Sequence, residues 1–171
     1  VVGYKPIGAY LATRDRPGNV LLACPEDADL IFHYRGHTSG WERSLIRGDR
    51  TLAIRLASYA RSESRVLAQD RDDVLEVIRL GRVRYVVTVE PVEPTRDYRT
   101  DEMILASSVL RDDPASFARR ADFPLSVVFG GEGTRFTATV WEYLGNLPDG
   151  PSELPIVIPT ARMELKPAGR R

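Results

Sequence analysis

Val20-Leu21-Leu22-Ala23-Cys24 is five apolar residues without a polar break, followed at once by Pro25 and the acids Glu26, Asp27 and Asp29. An unbroken apolar run of this length suits a strand covered on both faces, which is the habit of parallel sheets between helices. Upstream, Tyr4, Ile7 and Leu11 recur at helical spacing with Pro6 tolerated in a first turn, so residues 4–13 read as a helix. Arg14-Asp15-Arg16-Pro17-Gly18 ends it. Downstream, Leu30, Ile31 and Tyr34 share one helical face, acids occupy the favourable first turn, and Gly36 reads as a stop, giving a helix over 27–34.

Further along, Thr51 to Leu56 reads as a second buried strand and residues 83–89 as the clearest one, since Tyr85-Val86-Val87-Thr88-Val89 is almost wholly β-favouring. Between them Asp70 and Asp73 resemble a capping box, Val74, Leu75, Val77 and Ile78 follow at helical spacing, and Gly81 sits where a terminating glycine belongs. Thr100 is placed to cap a helix over 101–110. Residues 123–129 and 135–144, joined through Gly130-Gly131-Glu132-Gly133, read as a hairpin.

Alternating strands and helices finished by a hairpin predict an α/β fold, a three-layer sandwich. Its sheet is expected to be mainly parallel, with the strands near 19–24, 51–56 and 83–89 parallel and an antiparallel hairpin at one edge. The domain is expected over 1–146. Residues 147–171 form a proline-containing tail with an edge strand expected at Ile156-Val157-Ile158.

The chain has 171 residues, about one domain's worth. Its 24 basic and 24 acidic residues cancel, which argues against a general electrostatic grip on nucleic acid. No window approaches the ~20 apolar residues of a membrane span, and the absence of an initiator Met fits a soluble piece cut from a longer chain. A lone cysteine, Cys24, excludes an internal disulfide and a multi-cysteine zinc site.

The turn after the first strand lacks the glycines a dinucleotide needs, so no nicotinamide or flavin cofactor is expected. Asp27 and Asp29 could hold Mg²⁺ or Mn²⁺, but residues two apart on a helix diverge, and solvated acids at a helix start are the simpler account. His33 and His37 have the spacing of a zinc pair, yet Gly36 is read as interrupting the helix and no third ligand is signalled. No metal site and no catalytic residue is therefore assigned. The irregular stretch 36–50, with Arg35 just before it, gathers Arg35, Arg43, Arg47 and Arg50 around Trp41. Guanidinium forks suit phosphate or carboxylate and an indole suits a sugar or prenyl face, so these five are the candidate binding residues. Glu42 and Asp49 among them make surface ion pairs an equal rival.

Gly3-Tyr4 opening a helix, Val20-Leu21-Leu22, Asp73-Val74-Leu75 ahead of Arg84-Tyr85-Val86-Val87-Thr88, and Phe123-Pro124-Leu125 before Thr139-Val140-Trp141-Glu142-Tyr143 together resemble the soluble C-terminal domain of bacterial membrane glycosyltransferases of the protein-mannosyltransferase type. The resemblance covers roughly residues 3–144. It implies an accessory domain on the extracytoplasmic face of the membrane, inactive alone, because the family's catalytic acids lie in loops of the transmembrane part. The implied partners are that transmembrane part of the same chain and a polyprenyl-phosphate sugar or glycan acceptor. The alternative is a free-standing metal-dependent sugar-nucleotide transferase using the acids after the first strand.

Overall fold

A computed structural model describes residues 2–25, 27–37, 43–57, 62–92, 99–129 and 132–154. In chain order its elements are α1 (Tyr4–Ala12), β1 (Asn19–Ala23), α2 (Asp27–His37), β2 (Leu45–Arg47), α3 (Gly48–Thr51), β3 (Ala53–Ala57), β4 (Ser62–Val66), α4 (Arg71–Leu80), β5 (Val83–Pro91), α5 (Asp101–Asp112), β6 (Phe117–Phe129) and β7 (Glu132–Tyr143). Five strands form one mixed sheet in the order β2-β1-β5-β7-β6. β1 pairs in parallel with both β2 and β5, while β5–β7 and β7–β6 are antiparallel.

The fold is α/β with an antiparallel hairpin at one edge, as the pattern predicts. The sheet is not mainly parallel: it has two parallel and two antiparallel pairings. Nor does the segment read as a strand at 51–56 join it. β3 instead pairs antiparallel with β4 in a separate two-stranded sheet. The third parallel strand is β2, three residues inside the stretch read as irregular. A strand that short shows no period, and it is held by register with β1, Val20 opposite Leu45 and Leu22 opposite Arg47.

Strand alternation divides the core. Val20 and Leu22 of β1, Tyr85, Val87 and Val89 of β5, and Ala138 and Val140 of β7 meet Tyr4, Ile7, Leu11, Leu30 and Tyr34 of α1 and α2 in one buried cluster. Leu21, Ala23, Val83 and Val86, which point the other way, meet Val74, Leu75 and Ile78 of α4 and Ala106, Val109 and Leu110 of α5 in a second. Each pair of helices therefore covers what alternate strand residues expose, so the middles of β1, Val20–Ala23, and of β5, Tyr85–Val87, are apolar on both faces.

Local chemistry sets the element ends. The Asp70 carboxylate accepts from the backbone N–H groups of Asp72 and Asp73 and caps α4. Gly3 has φ +121°, and a Cβ there would lie 2.5 Å from the Pro124 carbonyl oxygen, so only glycine starts α1 this close to β6. Pro124 is tolerated because β6 is an edge strand. α2 runs through Gly36 to His37, so that glycine does not stop the helix as the sequence reading expects.

Residues 147–154 fold back. Leu147 packs against the second cluster, and the Glu153 N–H donates to the Leu80 carbonyl at 2.8 Å. The edge strand expected at 156–158 lies outside the described residues, as do Trp41 and the two glycines between β6 and β7.

Candidate functional site

Two groups of charged side chains stand at opposite ends of the parallel strands. The first lies where β1 and β2 end. Arg47, the last residue of β2, holds Asp27 at 3.0 Å and Asp49 at 2.9 Å. Arg50 lies 4.0 Å from Asp49. Asp27 starts α2 and is nearly buried, its side chain 7% exposed. Burial pushes its carboxyl above the ordinary value, opposed by the charge of Arg47 and reinforced by Asp49. The turn between β2 and α3 is tight: a Cβ on Gly48 would come within 2.7 Å of the Leu22 carbonyl oxygen.

Beneath this end Cys24 is buried, and burial pushes its thiol up to about 12. The Tyr4 hydroxyl donates to the Pro25 carbonyl, and burial raises its own pKa further still. A thiol so far from ionisation is a packing group, in keeping with its apolar run. Beside Arg50 a cavity of about 260 Å³ opens toward α4, bordered by Ala68, Asp73, Glu76, Val77 and Leu80.

The second group gathers at the other end of the sheet, around a cavity of about 310 Å³ lined by Tyr10, Arg14, Arg16, Tyr85, Arg120 and Glu142 among others. Glu142 receives Arg16 at 2.5 Å and Arg120 at 2.6 Å, one on each carboxylate oxygen. Those two guanidinium groups hold its carboxyl below the usual range against the opposing effect of burial. Arg14 lies over the Tyr10 ring, 4.2 Å from its centroid. Arg43 is buried, lies 5.1 Å from the Tyr85 centroid, and donates through Nη2 to the Arg14 carbonyl. Arg84 donates from Nη1 to the carbonyl of Gly145 at 3.1 Å and to that of Tyr143.

The structure thus divides the candidate binding residues. Arg47 and Arg50 come together at the strand ends with Asp49. Arg43 precedes β2 and lies four steps of extended chain, ~13 Å, from Arg47, so the two do not converge on one small anion. Arg35 stands in the last turn of α2 with its guanidinium 5.8 Å from the Tyr34 centroid. Trp41 lies outside the described residues.

His33 and His37 both belong to the continuous helix α2. Among the described residues no group of three or more His, Cys, Asp or Glu is placed to hold a metal ion.

Arg14, Arg16, Arg84, Arg120 and Glu142 were missed in the sequence reading. The only sequence signal for any of them is the Arg14-Asp15-Arg16 run, which reads as a helix terminator.

Among the described residues no helix is long and apolar enough to cross a membrane. Comparison of the chain with protein-family models, with curated proteins and with solved structures finds no match.

Proposed function

We propose that this chain is a recognition domain without a catalytic centre of its own, the accessory domain of a membrane-bound glycosyltransferase of the protein-mannosyltransferase type, working on the extracytoplasmic face. The sequence resemblance motivates the family. The observation that carries the non-catalytic reading is the clamp on Asp27. A metal-dependent sugar-nucleotide transferase needs that carboxylate free to meet a divalent cation, but Arg47 occupies it at 3.0 Å and ties it to Asp49. A guanidinium seated on a carboxylate competes directly with a cation for the same oxygens.

The two core clusters, one on each face of β1 and β5, support reading the domain as a three-layer sandwich. On this reading Arg47 and Arg50 border the surface offered to a polyprenyl-phosphate sugar, a glycan acceptor or the transmembrane part of the parent chain. The test is sugar transfer by the isolated chain, first from a polyprenyl-phosphate sugar and then from a sugar nucleotide with Mn²⁺. No turnover is expected with either donor. Turnover with the sugar nucleotide, lost in Asp27→Asn, would replace the proposal with the free-standing enzyme.

A further inference from the structure

We propose that the arginine-lined cavity at the end of α1 is a binding site for a phosphoryl group. The inference rests on the cavity's own geometry and does not depend on the transferase reading.

The charge there is unbalanced. Arg14, Arg16, Arg43, Arg84 and Arg120 line or back the cavity against the carboxylates of Asp15 and Glu142, in a chain whose overall charge is zero. Burial lowers the pKa of the Arg84 guanidinium, the nearby charge of Arg16 adds to the effect, and Glu142 opposes it. Neither Arg14 nor Arg43 has a carboxylate partner among the described residues, and the Arg14 Nε and Arg43 Nη1 atoms are buried with no hydrogen-bond partner there. Buried donors of this kind are rare in folded proteins, and here they leave positive charge uncompensated behind the cavity wall.

The backbone is shaped to bring the arginines in. The register of β1 on β5 runs Asn19–Val83 and then Val20–Tyr85, which leaves Arg84 as an extra residue. The register of β6 on β7 runs Arg119–Trp141 and then Ala121–Val140, which leaves Arg120 as another. A bulge re-aims the side chain of its unpaired residue, and Arg120 reaches Glu142 by this means. Its neighbour Arg119 turns instead to Asp122 at 2.6 Å.

Not every arginine is available. Arg84 is occupied by the carbonyls of Tyr143 and Gly145, and Arg43 by that of Arg14. Arg16 spends Nη1 on Glu142 and Arg120 spends Nε, so each keeps further N–H donors out of the five a guanidinium carries. Glu142 therefore positions two forks without exhausting them, while Arg14, which donates from Nη1 to the Tyr10 hydroxyl at 3.4 Å and from Nη2 to the Thr13 hydroxyl at 3.2 Å, brings a third guanidinium to the cavity on long contacts to neutral oxygens. Three forks approaching from the α1–β1 turn and from β6 match a tetrahedral group with several terminal oxygens. One fork suffices for a planar carboxylate.

The test is calorimetric titration of the chain with inorganic phosphate, with glucose 1-phosphate and with acetate, alongside amide chemical shifts across residues 10–16 and 119–142. Phosphate or the sugar phosphate should bind, weaken with added salt, and move shifts around the cavity. Tighter binding of the ester would identify a phosphate monoester as the ligand, and equal binding the free ion. Arg14→Gln should weaken binding about tenfold, the loss of one charge-assisted contact. Arg119→Gln, which removes the same charge one residue from the bulge, should leave it unchanged, and melting curves of both variants should match the parent's. No binding by either phosphate, equal binding of acetate, or equal losses in the two variants would overturn the proposal.

Discussion

Replacing Arg47 with Met removes the guanidinium that joins Asp27 to Asp49 while keeping most of the side chain's apolar stem. Removing one partner of a fully buried ion pair costs about 3–5 kcal/mol. Asp27 fits that description, with its side chain 7% exposed, but Arg47 is 40% exposed, so water already screens the pair and can reach the freed carboxylate. The expected loss at pH 7 is therefore about 1–2 kcal/mol. At this chain length that lowers Tm by about 2–8 °C. The sign with pH follows from Asp27. Its folded pKa already lies above the ordinary carboxylate value, because burial outweighs the attraction of Arg47. Such a group costs stability while charged, and the cost fades as pH falls through the folded value toward the unfolded one. Without Arg47 only burial and the charge of Asp49 act on it in force, both upward, so the variant should take up a proton at a higher pH. Urea unfolding followed by tryptophan fluorescence at pH 7 and pH 4.5 reads the difference. Trp141, whose indole N–H donates to the Thr88 hydroxyl at 2.9 Å, provides a core signal. The Met variant should lose clearly more stability at pH 7 than at pH 4.5. Equal losses, or none at pH 7, would mean that Arg47 is not what makes a charged Asp27 tolerable.

Gly8→Ala gains about 1 kcal/mol of helix propensity in α1, but the new Cβ would lie 2.8 Å from the Tyr34 amide nitrogen and 2.9 Å from the His33 carbonyl carbon of α2. Backbone cannot step aside as a side chain can, so overpacking of about 1–3 kcal/mol should win, and a rise in urea midpoint would show that α1 and α2 are less closely packed. Val87→Asp puts an unpaired carboxylate at a fully buried position on β5, between β1 and β7; a loss of about 4 kcal/mol or more is expected, and parent-like melting would contradict the strand order. Cys24, with its thiol raised to about 12, should resist iodoacetamide at pH 8 in the folded chain and react once urea unfolds it. Alkylation of folded protein at the rate of a free thiol would count against its burial.

The parts of the fold that rest on local chemistry were legible. α1, α2 and α4 announce themselves by apolar spacing, and α2, α4 and α5 by acids at their starts; β1 stands out by an unbroken apolar run that suits a strand covered on both faces, and β5 by its β-favouring residues. The failures have a common cause. β2 is Leu45-Ile46-Arg47, too short for any period, and its place is decided by hydrogen bonding to β1. β4 is Ser-Glu-Ser-Arg-Val, without an apolar face to signal it, and its pairing takes β3 out of the main sheet. The arginine cavity was invisible for a related reason: Arg16 and Glu142 are 126 residues apart, and the bulge that turns Arg120 toward Glu142 is a fact of register.

The two charged groups also differ in what the fold demands of them. At the carboxyl ends of β1 and β2, where an open α/β sheet usually places its ligand, Asp27 and Asp49 each meet an arginine within a span of 24 residues, Asp27 to Arg50, and these charges largely satisfy one another. At the amino ends, arginines accumulate where α1 finishes. The C-terminal carbonyls of a helix carry partial negative charge and attract cations, so some positive charge there is structural: Arg43 serves the Arg14 carbonyl just past α1, and Arg84 serves the carbonyls of Tyr143 and Gly145 at the end of β7. Arg14, stacked on Tyr10 with a buried Nε unpaired, and Arg120, displaced by a bulge onto a carboxylate already served by Arg16, add charge that the helix end does not require. A chain with no charge to spare overall concentrates it where neither the α1 carbonyls nor the sheet uses it, and an incoming anion is what would balance it.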